Sequence, residues 1–122
     1  MPFWKEPPQS RTQERLARES VRRADAHRCR VCFRRTATVH EEKRRGAGGR
    51  VTLENSFCAC EVSDGGGCHP LLQDRLIRVV MADGSEEFNA RGSLEFEMSE
   101  RIAERVFLGR PIPAHVRIVE VI

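Results

Sequence analysis

Two spacings of apolar residues divide this chain. Over residues 11–28, RTQERLARESVRRADAHR, Leu16, Ala17, Val21 and Ala24 recur at helical intervals among good helix formers and predict a polar helix with one thin apolar stripe. Ser10, followed three residues later by Gln13, has the pattern of a capping box and sets the start of that helix. Two short β-prone runs, TATVH and VTLENSFCA, flank the segment EEKRRGAGGR, whose charges and glycines at 46, 48 and 49 mark a loop. After a turn at Gly65-Gly66-Gly67, Cys68-His69-Pro70 opens a short helix, because a proline in the first turn gives up no needed N–H. Ile77, Val79 and Met81 then alternate up to a turn at Asp83-Gly84, and Leu94, Phe96 and Met98 alternate again, which predicts two half-buried strands. Ser99 is placed to cap a helix over SERIAERVFLG that turns Ile102, Ala103 and Val106 inward and ends at Gly109. Beyond Pro111 and Pro113, HVRIVEVI alternates as a last strand.

This order predicts an α+β fold in a single domain with an arm. Residues 1–28 are read as an Arg-rich N-terminal arm and helix, 29–76 as a strand–loop–strand–helix core laced by cysteines, and 77–122 as a β-rich C-terminal extension that supports it. Pro2, Pro7 and Pro8 keep the arm out of regular structure, and Phe3 and Trp4 are placed to anchor it to the body. At 122 residues, with six phenylalanines, one tryptophan and no tyrosine, the core is modest, and a bound structural metal would add to it.

Charge changes the picture more than composition does. The net charge is +3, yet residues 1–50 carry 14 Lys and Arg against 6 Asp and Glu, while residues 51–122 carry 7 against 12. An arginine-dominated half favours a phosphate-bearing partner, since guanidinium binds phosphate bidentately and keeps its proton; a solvated helix face is the plainer alternative. No stretch approaches the roughly 20 apolar residues of a membrane span, and MPFWKEPPQS lacks the apolar run of a secretory signal. The expected address is the cytoplasm, where clustered cysteines more often hold metal than form disulfides.

All five cysteines lie between Cys29 and Cys68. A Cys-x-x-Cys turn brings two sulfurs to one ion, and a second pair about thirty residues on closes a tetrahedron of the kind zinc favours. The expected ligands are Cys29, Cys32, Cys60 and Cys68, with Cys58 able to exchange roles with Cys60 or to serve as a small buried apolar residue. A redox-active Cys-x-x-Cys is the rival reading, but it needs no second pair. His27 is close enough to substitute as a ligand or to stand solvated at a helix end.

Between the two pairs stand His40, Asn55 and His69, and here the motifs CRVC, VHEEKRRGAGG, LEN and CACEVSDGGGCH resemble the HNH endonucleases over residues 29–75. The likeness is to the compact phage and actinobacterial type, in which the Asn is followed five residues on by a Cys and a Gly-rich insert leads into Gly-Cys-His. That spacing prefers Cys60 over Cys58. The resemblance implies a zinc-stapled ββα-metal core in which a ribbon and a helix surround one divalent ion such as Mg2+. It also implies hydrolysis of DNA phosphodiester bonds, and a setting in phage or mobile elements, as a homodimer or within a larger nucleic-acid-processing complex. His40 and His69 would bind the catalytic ion and Asn55 would orient the site, with Cys29, Cys32, Cys60 and Cys68 holding structural zinc. Arg44, Arg45 and Arg50 around the loop, with Arg22 and Arg23 on the first helix, would hold the DNA backbone.

One position departs from that pattern. The family opens its site with a consecutive pair, often His-His or Asp-His, whose second member is the general base; spacing to the glycines and Asn55 places Glu41 there. If the loop has instead gained one residue, His40 is the base and Val39 stands where a ligand is expected. Histidine, with a reference pKa of about 6.5, suits proton removal near neutral pH, whereas glutamate at about 4.3 is a weaker base. Neighbouring residues on a regular strand also point to opposite faces, so His40 and Glu41 both reach one site only if the backbone is irregular there; otherwise one of them is a bystander. A catalytically degenerate HNH-like zinc module that binds nucleic acid or a protein is the alternative, and a zinc-ribbon transcription factor a third. His115 has no partner in the sequence and is read as structural.

Overall fold

Helix α1 (Arg11–Ala24) begins at the expected cap: Ser10 Oγ accepts the Gln13 amide at 3.1 Å, and Gln13 Oε1 accepts the Ser10 amide at 2.8 Å. The computed structural model describes residues 7–44 and 49–120, so Pro2, Phe3, Trp4, Arg45, Gly46 and Gly48 lie outside the described residues. The helix stops four residues earlier than its sequence pattern suggests, because Asp25 turns into the protein and Ala26 and His27 adopt left-handed conformations. Its apolar stripe is thinner than expected: Val21 is buried and Ala17 packs beside it, but Leu16 is 51% exposed. Just before the helix, Gln9 pairs with both backbone groups of Val51, at 2.8 and 3.0 Å, and so fixes the approach of the chain to the body.

Strands β1 (Val39–Glu41) and β2 (Ser56–Cys58) form an antiparallel ribbon with His40 opposite Phe57. The second strand is shorter than its β-prone sequence because Thr52–Ser56 closes into a turn. There the Thr52 hydroxyl accepts the Asn55 amide and the Ser56 hydroxyl accepts the Thr52 amide. Helix α2 (Cys68–Gln73) follows the glycine turn as expected. Strands β3 (Ile77–Met81) and β4 (Leu94–Met98) pair antiparallel, helix α3 (Glu100–Phe107) is capped by the Ser99 hydroxyl, and β5 (Val116–Ile118) adds to β4 in parallel. The fold is therefore mixed α+β with two small sheets, ordered β1-β2 and β3-β4-β5. Among the described residues, no helix is long and apolar enough to cross a membrane.

One buried cluster joins the cysteines to the C-terminal part. Cys29, Cys32, Cys60 and Cys68 pack with Phe57 and Leu72 on one side and with Ile77, Phe96, Met98 and Val106 on the other. The alternation seen in the sequence sets the register, with Ile77 opposite Met98, Val79 opposite Phe96 and Met81 opposite Leu94. Val21, Val39, Val51 and Cys58 form a smaller cluster under α1. His115 earns its place as a tie: its Nε2 lies 2.9 Å and 3.0 Å from the carbonyl oxygens of Arg30 and Val31, so that nitrogen carries the proton and donates to both.

The elements meet at Asp25, whose side chain is 2% exposed. It accepts the Cys58 amide at 2.8 Å and pairs with Arg30 at 3.2 Å and Arg91 at 2.9 Å. Arg91 also donates to the carbonyls of Leu53 and Ser56, and Arg30 to that of Ala90. Removing one member of such a pair strands the others, so Asp25→Ala is expected to lower stability by about 3–5 kcal/mol. Urea unfolding monitored by circular dichroism measures this; a loss below about 1 kcal/mol would mean that the network is peripheral.

Candidate functional site

The first cysteine pair sits in a tight knuckle. The Phe33 amide donates to the Cys29 carbonyl at 2.9 Å, the Cys29 amide to the Arg34 carbonyl at 2.8 Å, and Phe33 takes a left-handed conformation to close the turn. The knuckle is tied to the ribbon by the Arg30 amide donating to the Cys58 carbonyl, and the His69 amide donates to the Cys60 carbonyl to bring in the second pair. The four Sγ atoms of Cys29, Cys32, Cys60 and Cys68 all lie within 4.8 Å of one another, every one buried. Four sulfurs about 2.3 Å from one zinc stand about 3.8 Å apart, so this arrangement fits a tetrahedral ion. Among the described residues it is the group of three or more metal-type donors that converges.

Two further observations describe how tightly the cluster is packed. A Cβ on Gly66 would meet Cys60 Sγ at 2.7 Å and Cys32 Sγ at 3.2 Å, so the glycine lets backbone approach the sulfurs. The sulfurs also divide their protons unevenly. Contact with Cys32 holds Cys29 well above the ordinary thiol value and contact with Cys29 does the same to Cys68, while Cys32 and Cys60 fall below it, chiefly through Cys29. Four thiolates this close would repel one another unless a cation stood between them. The four buried cysteines are thus placed to hold a metal ion such as zinc. Cys58 stands apart in the smaller cluster, where burial and the Asp25 charge push its thiol up to about 11. His27 is exposed at the end of α1 and takes no part in this group.

Beside this frame opens a cleft of about 810 Å³, bordered by His40 and Glu41 from β1, His69 from α2, Arg18 and Arg22 from α1, and Arg44 from the loop after β1. The rings of His40 and His69 stand edge to face with centroids 5.4 Å apart. His40 is nearly buried against Phe57; its Nε2 lies 3.1 Å from Glu42 Oε1, and its buried Nδ1 has no hydrogen-bond partner. Arg75 holds the other Glu42 oxygen at 2.9 Å. Burial alone would raise the Glu42 pKa, but the His40 hydrogen bond and the Arg75 charge outweigh it and hold the carboxylate ionised. Burial and the neighbouring His40 lower the His69 pKa against the pull of Glu61, whose Oε1 is 3.4 Å from His69 Nδ1. That lowering favours the neutral His69 imidazole, the form that donates to a cation.

The ribbon pairing is regular, and His40 and Glu41 accordingly leave it on opposite faces. His40 turns toward Phe57 and His69, while Glu41 turns toward α1, where Arg18 pairs with it at 3.5 Å. Both still border the cleft, which wraps around the strand. Asn55 spans the mouth of the loop: its Oδ1 accepts the Lys43 amide at 2.9 Å, and its Nδ2 donates to the carbonyls of Lys43 and Arg50 at 3.0 and 2.8 Å. Three bonds across the loop fix the end of β1 that carries His40 and Glu41. Arg50 lies at this loop base, and Arg23 is exposed on α1 away from the cleft lining. Arg45 lies outside the described residues.

Glu42, Arg75 and Glu61 were not singled out from the sequence. Glu42 had a legible signal, since on a strand the residue two positions after His40 shares its face. Glu61 had none, because its approach to His69 depends on the turn after Cys60. Compared with family models, curated proteins and solved structures, the chain finds no match.

Metal analysis of purified protein is expected to find one tightly held ion per chain, lost in Cys60→Ser and kept in Cys58→Ser. Gly66→Ala, which forces a methyl group against two of the sulfurs, should release the ion to a chelator at least about tenfold faster than the unmodified chain, since cavities at native density absorb no added methyl without strain. Equal retention by all three variants would remove the four-thiol assignment.

Proposed function

We propose that this chain is a small HNH-type, metal-dependent endonuclease that hydrolyses DNA phosphodiester bonds. The observation that carries the reading is the facing pair His40 and His69, 5.4 Å apart in a cleft bordered by three arginines, with Asn55 bracing the loop beside it. In this reading the four thiolates hold structural zinc and shape the ribbon and helix around the histidines. The partnerless Nδ1 of His40 and the imidazole of His69 are the nitrogen donors offered to a divalent cation. Two protein donors suit an ion such as Mg2+, which keeps several waters and takes its remaining ligands from substrate phosphate. When bound, it supplies charge stabilisation for the in-line displacement at phosphorus.

The chain's own residues divide the remaining work. Glu42, braced by Arg75, fixes the His40 ring through Nε2 and leaves Nδ1 as the unprotonated nitrogen. With Nε2 on Glu42 and Nδ1 given to the cation, His40 has no nitrogen left for proton transfer, so the general base in this reading is Glu41, which borders the cleft from the α1 side. Asn55 holds the loop so that Glu41 keeps its place. A second reading is favoured by one observation, the pairing of Glu41 with Arg18 at 3.5 Å, which occupies the candidate base. In that reading the chain is a catalytically degenerate zinc module that binds nucleic acid or a protein partner.

Supercoiled plasmid incubated with Mg2+ or Mn2+ separates the two. The nuclease reading expects nicked or linear product, none with His69→Ala, and a rate lower by about 10²–10⁴ with Glu41→Ala, the usual range for loss of a general base. Glu41→His is expected to match or exceed the unmodified rate. DNA binding without cleavage, under every metal and pH tried, would establish the degenerate module instead.

A further inference from the structure

The arginines around the cleft are held in place, which distinguishes them from a solvated charged face. Arg18 and Arg22 stand four residues apart on α1 and so project from the same side of the helix. Arg22 Nε donates to the Ala37 carbonyl at 2.8 Å, a bond that uses one of five guanidinium donors and orients the rest. Arg18 is anchored on Glu41, and Arg44 donates to the Gln73 carbonyl at the end of α2. Holding a long side chain still costs rotamer entropy, and a guanidinium already fixed has less of it to lose on binding. By contrast Arg11, Arg15 and Arg23 on the same helix are exposed and lie outside the cleft lining. Against the three cleft arginines stand Glu41 and Asp74, so the lining keeps an excess of positive charge. A cleft of about 810 Å³ admits a run of strand and not merely one phosphate.

We propose that Arg18 and Arg22 bind the phosphate backbone of DNA within this cleft, with Arg44 completing the set, so that α1 is a wall of the substrate site and not an accessory arm. The inference rests on the nuclease reading for its choice of DNA, and it concerns binding alone. Phosphate oxygens meet paired guanidinium donors well, and charge-assisted bonds of this kind are about twice as strong as neutral ones. The position of the arginines beside His40 and His69 would bring the bound backbone to the same histidines.

The test is fluorescence anisotropy with a short labelled DNA duplex across a series of salt concentrations, in the His69→Ala chain so that cleavage does not consume the probe. Arg18→Gln and Arg22→Gln should each weaken binding and reduce the slope of log affinity against log salt by about one, and the double variant by about two. Arg23→Gln, on the same helix but outside the cleft, should leave the slope unchanged. Circular dichroism checks folding, and Arg18→Gln, whose side chain bonds no backbone carbonyl here, carries the test if Arg22→Gln does not fold. Unchanged affinity and slope in Arg18→Gln, or an equal loss in Arg23→Gln, would each overturn the proposal. Absence of cleavage by the unmodified chain would end the nuclease reading and leave this binding result readable by itself.

Discussion

Four sulfurs that must sit within a few ångströms of one another constrain this protein more than any other contact. They come from a knuckle before the ribbon, from the chain just after it and from the first residue of α2, and they lie at the centre of the main buried cluster. A small core with few aromatic residues gains little from burial alone, and a closed four-thiolate metal site contributes on the order of 10 kcal/mol to domains of this size. The C-terminal sheet and α3 pack on that same cluster, so what reads in the sequence as an extension shares the interior with the cysteines.

The frame also determines what the ribbon can present. Because β1 and β2 pair in regular register, successive residues of β1 go to opposite faces, and the cleft acquires two unlike walls. On one wall His40 meets His69, with Glu42 and Arg75 behind it; on the other Glu41 meets Arg18. A consecutive His-Glu pair is therefore split by geometry: the histidine packs against Phe57, the carboxylate faces α1, and both border the cleft. Asn55, with three bonds across the loop, is the device that keeps both at a defined position despite the long glycine-rich connection.

Much of this was legible in the sequence, for physical reasons that can be named. Ser10 and Gln13 announced the start of α1, Ser99 that of α3, and the alternation of Ile77, Val79 and Met81 and of Leu94, Phe96 and Met98 marked β3 and β4. Cysteine spacing identified the converging sulfurs. What escaped depends on tertiary partners. The pattern over 11–28 carries helix propensity to Arg28, but a buried Asp25 with two arginine partners ends α1 sooner. The β-prone run from Val51 becomes a turn because Thr52 and Ser56 hydroxyls bond nearby amides. The approach of Glu61 to His69 and the placement of Arg18 at the cleft with Arg23 away from it required the fold itself.

The claim on which all of this stands is that Cys29, Cys32, Cys60 and Cys68 together hold one ion. X-ray absorption spectroscopy at the zinc edge of the purified protein tests it most directly. The account predicts a single shell of four sulfurs about 2.3 Å from the metal, with no nitrogen in that shell. A mixed sulfur–nitrogen shell, or zinc well below one ion per chain, would contradict it.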